Sequence, residues 1–322
     1  PYTVFHEAIS WMIQGVLWIS RQSYGMLTIG HVPFLWVLLF YFMTGLWIWK
    51  KNGQNRHIRI SLAYVIMIIL IWIPMARRKS LAFLDVGQGD CFVADTKSGA
   101  IIFDGGSSSE DQVGRYRILP YMKYLGYQKI QIAVISHMDI DHYSGIKELL
   151  EMGKIKYLGL PEIPKDETMK KIIGIAKKRG TTIFYLSRGR QIATKDGSLK
   201  VLHPQKNSQM EKNAASLVMQ GKILGYRVLL TGDVEKEGEE ELLSEELERA
   251  DILKAAHHGS KNSTSNEFLQ KVQPKQTVIS CGKQNRYGHP HLETIHRLQT
   301  YHTKIYRTDR SGAIIFFQRR DG

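Results

Sequence analysis

Apolar and polar positions divide the chain into two stretches with different rhythms. Over residues 1–79 the apolar residues run almost unbroken: 32–49 is uncharged, and 58–75 carries only Arg59. A helix of about 17–25 apolar residues crosses roughly 30 Å of hydrocarbon, so both runs are expected to span a membrane. Trp36, Trp47, Trp49 and Trp72 include indoles near the ends of these runs, where they favour the lipid–water interface. Residues 5–19 are shorter and amphipathic, which fits a truncated span or an interfacial helix. The competing reading is a buried helical hairpin in water, but the basic residues between the two runs fit it poorly.

From Ser80 the pattern changes to short apolar runs alternating with amphipathic ones. Strands are expected over 81–85, 91–95, 100–104, 130–136, 155–160, 182–186, 216–220, 227–230, 252–256, 277–280, 304–306 and 313–317. Helices are expected over 117–125, 144–152, 167–179, 235–246, 265–272 and 291–301. This predicts α/β layering, with two domains: membrane helices over 1–79 and a sandwich over 80–322. The acidic stretch 235–248 reads as a solvated helix face. No internal repeat or low-complexity linker is present.

Composition refines this picture. The formal net charge of +14 is shared equally between the two stretches, so the larger is only mildly basic for its size. Charge alone is therefore weak support for a polyanion ligand. Lys50, Lys51, Arg56 and Arg59 lie between the two apolar runs; the positive-inside rule places that connection in the cytoplasm and the C-terminal domain outside. Arg77, Arg78 and Lys79 pull the other way. Two cysteines, Cys91 and Cys281, exclude a disulfide-rich scaffold and lack zinc-ribbon spacing. The sequence opens at Pro1 on apolar residues, as a piece of a longer membrane protein would.

The chemistry concentrates in Ser136-His137-Met138-Asp139-Ile140-Asp141-His142, after the apolar run 130–135 and before a helix. Two imidazoles and two carboxylates at this spacing cannot share one face of a strand or helix. On a strand-to-helix loop they can converge on one or two ions, and burying them together demands a compensating positive charge. A polar loop with Asp141 as a helix cap is the plainer reading, and it accounts poorly for all four residues at once.

The run resembles the metallo-β-lactamase-fold signature His-x-[His/Asp]-x-Asp-His. With Phe83-Leu84-Asp85-Val86-Gly87-Gln88-Gly89-Asp90, Phe103-Asp104-Gly105-Gly106, Leu229-Leu230-Thr231-Gly232-Asp233, His257-His258-Gly259-Ser260 and Tyr287-Gly288-His289-Pro290, the chain is similar to the C-terminal part of the ComEC family of bacterial competence proteins. The resemblance implies a metallo-β-lactamase αββα sandwich behind transmembrane helices of a DNA-uptake channel, in the bacterial cell membrane. It also implies a metal-dependent nuclease that degrades one strand of incoming DNA. Partners would be DNA, single-stranded or as one strand of the incoming duplex, the membrane, the rest of the channel and other DNA-uptake proteins.

Carried over residue by residue, the resemblance implies His137 and Asp139 as ligands of one metal, and Asp141, His142 and His257 as ligands of a second. Asp233 would bridge the two. Asn213 stands where many relatives place another histidine, and is expected as a weak ligand or outer donor. Asp85, Asp104 and His258 are expected to orient the ligands, His258 and Ser260 to reach phosphate, and His289 to act as general acid or phosphate contact. The ligand set is oxygen-rich and has no thiolate, which favours Mn²⁺ over Zn²⁺ or Mg²⁺. Two such ions activate water and neutralise phosphoryl oxygens. Arg115, Arg117, Lys261, Lys283 and Arg286 are the candidate DNA-backbone contacts. His203 and His302 read as ordinary packing or surface histidines. Cys91, Met138 and Ser144 depart from the family pattern without removing a ligand.

Three other functions compete on the same residues. They are a metallohydrolase of small phosphodiesters, lactones or thioesters, a non-catalytic DNA-guiding module, and a metal site that only stabilises the fold.

Overall fold

The computed structural model describes residues 2–21, 28, 30–49, 58, 61–67, 78–210, 213–245 and 247–319. The chain forms two compact units, one of residues 1–76 with 123–128, the other of 77–122 with 129–322.

In the first unit, α1 (Tyr2–Arg21) and α2 (Phe34–Trp49) are helical, as are residues 61–67. Trp11, Met12, Val16, Leu17 and Trp18 on α1 are exposed, as are Phe34, Leu35, Tyr41 and Phe42 on α2. Among the described residues, no helix is long and apolar enough to cross a membrane. The expected run 32–49 corresponds to α2, whose 16 residues rise about 24 Å at 1.5 Å each, short of the roughly 30 Å hydrocarbon core. Most of the other run, 58–75, lies outside the described residues, as do the side chains of Trp47, Trp49 and Trp72.

The second unit is a sandwich of two seven-stranded sheets. The first contains β1 (Ser80–Phe83), β2 (Phe92–Thr96), β3 (Gly99–Phe103), β4 (Ile130–Val134), β5 (Ile155–Pro161), β6 (Thr182–Leu186) and β14 (Ile314–Phe317). Its order is β14-β1-β2-β3-β4-β5-β6. The second contains β7 (Gln191–Thr194), β8 (Gly197–His203), β9 (Val218–Ile223), β10 (Tyr226–Leu230), β11 (Ile252–Lys254), β12 (Gln276–Ile279) and β13 (Lys304–Arg307), ordered β13 to β7. Leu81, Phe83, Phe92, Ile101 and Phe103 from one sheet pack against Val201, Met219, Val228 and Val278 from the other. With helices on the outer faces as well, both sides of these strands are buried, and they read as continuous apolar runs.

Helices cover both outer faces. The first sheet carries α3 (Leu119–Tyr124), α4 (Ile140–Glu151) and α5 (Glu167–Lys178), which bury Met122, Ile146, Leu149, Met169 and Ile172. The second carries α6 (Lys236–Leu243), α7 (Asn266–Val272) and α8 (Leu292–Thr300), with Leu242, Phe268, Leu269 and Leu298 packed on Leu229, Leu253 and Ile279. The expected αββα layering is therefore present. The acidic helix is shorter than its charge pattern implied, and its Glu239 is buried, accepting the Thr264 and Ser265 N–H groups.

The pair β7–β8 falls where no strand is expected. Its polar alternation (Gln191, Thr194, Ser198, Lys200) hides it, although Asp196-Gly197 at the turn is a hairpin signal. Both cysteines are buried free thiols. β3 with β4, and β10 through β13, run parallel. The loops leaving their C-terminal ends gather in one place, as is usual for ligand sites in α/β sheets.

Candidate metal centre

The site is built on those loops. After β3, Asp104 adopts a left-handed backbone (φ 57°) and its fully buried carboxylate serves two donors. Oδ1 accepts the Ser136 N–H at 2.7 Å, and Oδ2 lies 3.0 Å from His142 Nδ1. The glycines that follow permit a close approach: a Cβ on Gly106 would lie 2.5 Å from the Ile140 carbonyl and 2.6 Å from the His142 nitrogen. Only backbone fits between this loop and the ligand loop.

After β4, the ligand loop opens α4. Asp139 takes the cap position without capping through its side chain, and its Oδ2 is 3.6 Å from His137 Nε2. His137 Nδ1 is 3.0 Å from Ser136 Oγ. Asp141 and His142 occupy the first turn of α4. From the second sheet, Asp233 follows β10 with its N–H on Ser216 Oγ at 3.3 Å. Its Oδ2 is 3.2 Å from His142 Nε2, 3.3 Å from His258 Nε2 and 3.8 Å from His257 Nε2.

The adjacent histidines after β11 diverge, both with positive φ. His258 is buried; its Nδ1 donates to the Ser280 carbonyl at 2.9 Å, and its Nε2 lies 3.4 Å from Asp141 Oδ2. His257 instead sets Nδ1 2.8 Å from Glu235 Oε1 and remains part-exposed. The sequence reading gave His257 the inner place and His258 the outer. In the structure the donor atoms that converge with Asp141 and His142 belong to His258, because the left-handed turn points successive rings in different directions.

Unsatisfied buried atoms in this donor set suit it to a metal. His137 Nε2, His142 Nε2, His258 Nε2 and Asp90 Oδ1 are buried without a hydrogen-bond partner. Each of those histidines has its Nδ1 beside a protein partner, the arrangement that turns Nε2 lone pairs toward an ion. Two groups of donors within 4.8 Å of one another, His137–His142–Asp233 and Asp141–His142–His258, adjoin through His142. Asp90 and Asp233 pair with the single ammonium of Lys254, and Asp104, Asp139 and Asp141 add three further carboxylates, so with neutral imidazoles the site carries an excess of about four negative charges that two divalent cations would balance. The residues fit a binuclear centre.

Without such ions, the side chains compensate one another. Burial raises the proton affinity of Asp233, but His142, His258 and Lys254 outweigh it and hold the carboxyl well below its ordinary range. Burial opposes charging of His142 and His258, yet Asp233 with Asp104 or Asp90 lifts both well above the usual imidazole value. Asp141 is lowered in the same way by His258 and His142, against its own burial.

Two residues of this cluster were not expected from sequence. Asp90 closes the Asp-Val-Gly-Gln-Gly-Asp turn and pairs with Lys254 Nζ, its carboxyl held at about 2 as Lys254, His258 and His142 overcome burial. Lys254 also donates to the Gly232 carbonyl at 3.1 Å and lies 3.5 Å from Asp233 Oδ1. An ammonium inside the apolar strand Ile252–Lys254 was the signal for it. Glu235, read as part of a solvated face, orients His257.

The other expected residues are dispersed. Asp85 accepts the Gly87 N–H, shaping the turn that carries Asp90. Asn213 lies in the turn before β9, its carbonyl taking the Ser216 N–H. Ser260 is buried, and its carbonyl accepts Ser263 and Thr294 hydroxyls. His289 stacks on Tyr287 at 5.7 Å and sits 5.4 Å from the His257 ring. Burial and then His258, His257 and His291 push it down to about 4. Arg286 is exposed over Tyr287, while Lys261 and Lys283 are exposed on loops after β11 and β12. Arg115 and Arg117 engage Gln112 and Glu110.

Comparison with known proteins agrees with this geometry. Residues 84–283 match the Metallo-beta-lactamase superfamily. The chain is 32% identical over 339 residues to ComE operon protein 3 of Bacillus subtilis (strain 168), covering 97% of this chain and 43% of that protein. It is 30% identical to Competence protein ComA of Neisseria gonorrhoeae, over 74% of this chain and 32% of the relative. The chain thus spans less than half the length of these curated relatives. Among solved structures, the metallo-beta-lactamase fold protein YhfI from Bacillus subtilis superposes with a TM-score of 0.50 at 13% identity, over 73% of this chain and 99% of that one. The chain belongs to the metallo-β-lactamase superfamily.

Proposed function

We propose that this chain is the metal-dependent nuclease portion of a ComEC-like DNA-uptake channel, hydrolysing phosphodiester bonds of the strand that is not transported. The observation that carries the catalytic part is the set of three buried imidazole Nε2 atoms without partners, facing Asp233. The similarity to proteins named for competence supports the DNA-uptake part. The exposed apolar side chains of α1 and α2 support anchoring in the bacterial membrane, with the second unit on its outer side.

His137, Asp139 and Asp233 would hold one ion, and Asp141, His258 and Asp233 the other, with His142 between them. Mn²⁺ suits this donor set of carboxylates and imidazoles without thiolate, ahead of Zn²⁺ or Mg²⁺. A bound pair of divalent ions supplies an activated water and neutralises phosphoryl oxygens. The protein's own groups do the rest. Ser136, Asp104 and Ser280 fix the imidazole tautomers, and Lys254 holds Asp233 and Asp90 in place across the two sheets. His257, steadied by Glu235, can hydrogen-bond a phosphoryl oxygen and hand a proton to the leaving oxygen. Arg286, Lys261 and Lys283 supply backbone-phosphate contacts, with Arg115 and Arg117 more remote.

The test is incubation of the metal-stripped chain with end-labelled single- and double-stranded DNA plus Mn²⁺, Mg²⁺ or Zn²⁺, with Asp141→Asn alongside. Metal-dependent cleavage that vanishes in Asp141→Asn is expected. Full activity in that variant would remove the proposed site. DNA and metal binding without cleavage would favour a guiding module.

A further inference from the structure

Beside His137 the structure opens a cavity of about 170 Å³ lined by His137, Met138, Ile163, Pro164, Met169 and Met210 together with the polar Asp166, Ser208 and Gln209. We propose that this cavity receives one unpaired nucleobase of the DNA strand whose phosphate lies at the metal centre, an inference that rests on the nuclease reading above.

Size, lining and position together select that occupant. The volume equals about six water molecules at roughly 30 Å³ each, room for one ring system but not for a base pair. Met138, Met169 and Met210 offer polarisable thioethers, which pack well against aromatic rings, and Ile163 and Pro164 complete the apolar walls. Asp166 is occupied in capping α5, its Oδ1 accepting the Met169 N–H at 2.7 Å. Ser208 Oγ accepts the Met210 N–H at 3.4 Å and Gln209 Nε2 donates to the Asn207 carbonyl at 3.3 Å, which leaves the Ser208 hydroxyl hydrogen and the Gln209 amide oxygen, both on the loop after β8, for a base edge. Two exposed lysines, Lys165 and Lys206, flank the lining residues in sequence; Lys206 pairs with Glu162 at 2.9 Å. They suit the phosphates on either side of a docked base. His137 belongs to both the cavity wall and the metal centre, so a base here adjoins the reacting phosphate by one nucleotide linkage. A groove lined by thioethers, with adaptable polar groups at one edge, holds any base by its face and reads none by hydrogen-bond pattern. A duplex has to be opened before a base can enter, so single-stranded DNA is the preferred ligand.

The experiment compares a twelve-nucleotide thymidine strand with a strand of twelve abasic sugar–phosphates, which has equal charge and no register that rescues a lost base. Binding to the full chain is read by fluorescence anisotropy with EDTA and with Ca²⁺, and cleavage separately with Mn²⁺. The thymidine strand should bind about tenfold more tightly. Ser208→Leu, which fills the cavity without offering a flat ring, should abolish that preference while leaving affinity for the abasic strand unchanged. Met210→Ala should weaken thymidine-strand binding about threefold and Met210→Leu restore it, a pattern that simple misfolding would not give. Equal affinity for the two strands, or a Ser208→Leu loss that persists on the abasic strand, overturns the base pocket even if DNA is cleaved. A retained base preference without cleavage under any metal supports the pocket and removes the nuclease reading instead. Absence of binding to both strands overturns both.

Discussion

Replacing Asp104 by asparagine tests whether the outer groups hold the metal centre in its working state. The carboxylate meets two donors at once, the Ser136 N–H at 2.7 Å and His142 Nδ1 at 3.0 Å. Asparagine brings one acceptor and one donor to a place that needs two acceptors. With its oxygen toward Ser136, its amide faces Nδ1, and the imidazole proton must move to Nε2, closing the lone pair that faces Asp233. With the amide turned round, the Ser136 N–H is buried without an acceptor, which costs about 1–3 kcal/mol. Shape and backbone are otherwise conserved, since asparagine tolerates the left-handed conformation at position 104. Removing one such partner typically lowers metal affinity about 10- to 100-fold, or about 1.4–2.8 kcal/mol. Calorimetric titration of Mn²⁺ into the stripped protein measures this directly, with thermal melting of the metal-free protein as a control for folding. An Asp104→Asn affinity within twofold of the parent, in a protein that melts normally, would refute the reasoning.

Three further outcomes are expected. His258→Ala should lose one equivalent of bound metal by mass spectrometry, whereas His257→Ala should keep both and slow DNA cleavage by about 10²–10⁴; the opposite pattern would restore the ligand order read from sequence. Gly106→Ala forces a Cβ to within 2.5 Å of the Ile140 carbonyl and should destabilise the domain by about 1–3 kcal/mol, with a lowered melting temperature and weaker Mn²⁺ binding; an unchanged melt would contradict the close packing of the two loops. His203 is buried beside the Ala214 carbonyl, 2.7 Å from Nε2, and burial lowers its pKa below 6.5. The unfolded chain therefore takes up the proton first, so the His203 contribution is complete above pH 6.5 and declines as pH falls below it, by at most about 1.4 kcal/mol per pH unit. His203→Gln should flatten the stability curve of the metal-free protein below about pH 6.5, as read by denaturant titration at each pH; an unaltered slope would assign the dependence to other groups.

Local pattern alone determined much of this protein. Apolar runs bounded by turn residues located twelve of the fourteen strands among the described residues, because a strand covered by the other sheet on one face and by helices on the other is apolar throughout. The spacing from His137 to His142 located the candidate metal-binding loop, because that density of imidazole and carboxylate is hard to bury without cations. The hairpin β7–β8 escaped because its strands are partly polar, and among the described residues the membrane runs are matched by shorter helices, α2 and residues 61–67. Tertiary structure decided what depends on direction. The sequence reading put His257 inside and His258 outside, whereas the left-handed turn between β11 and α7 sends the His258 ring to Asp141 and the His257 ring to Glu235. It likewise took the meeting of the two sheets to bring Asp90, after β1, against Lys254 at the end of β11. Residue type and spacing fix which groups are available for chemistry, but their convergence depends on long-range strand packing, and no local period along the chain encodes that.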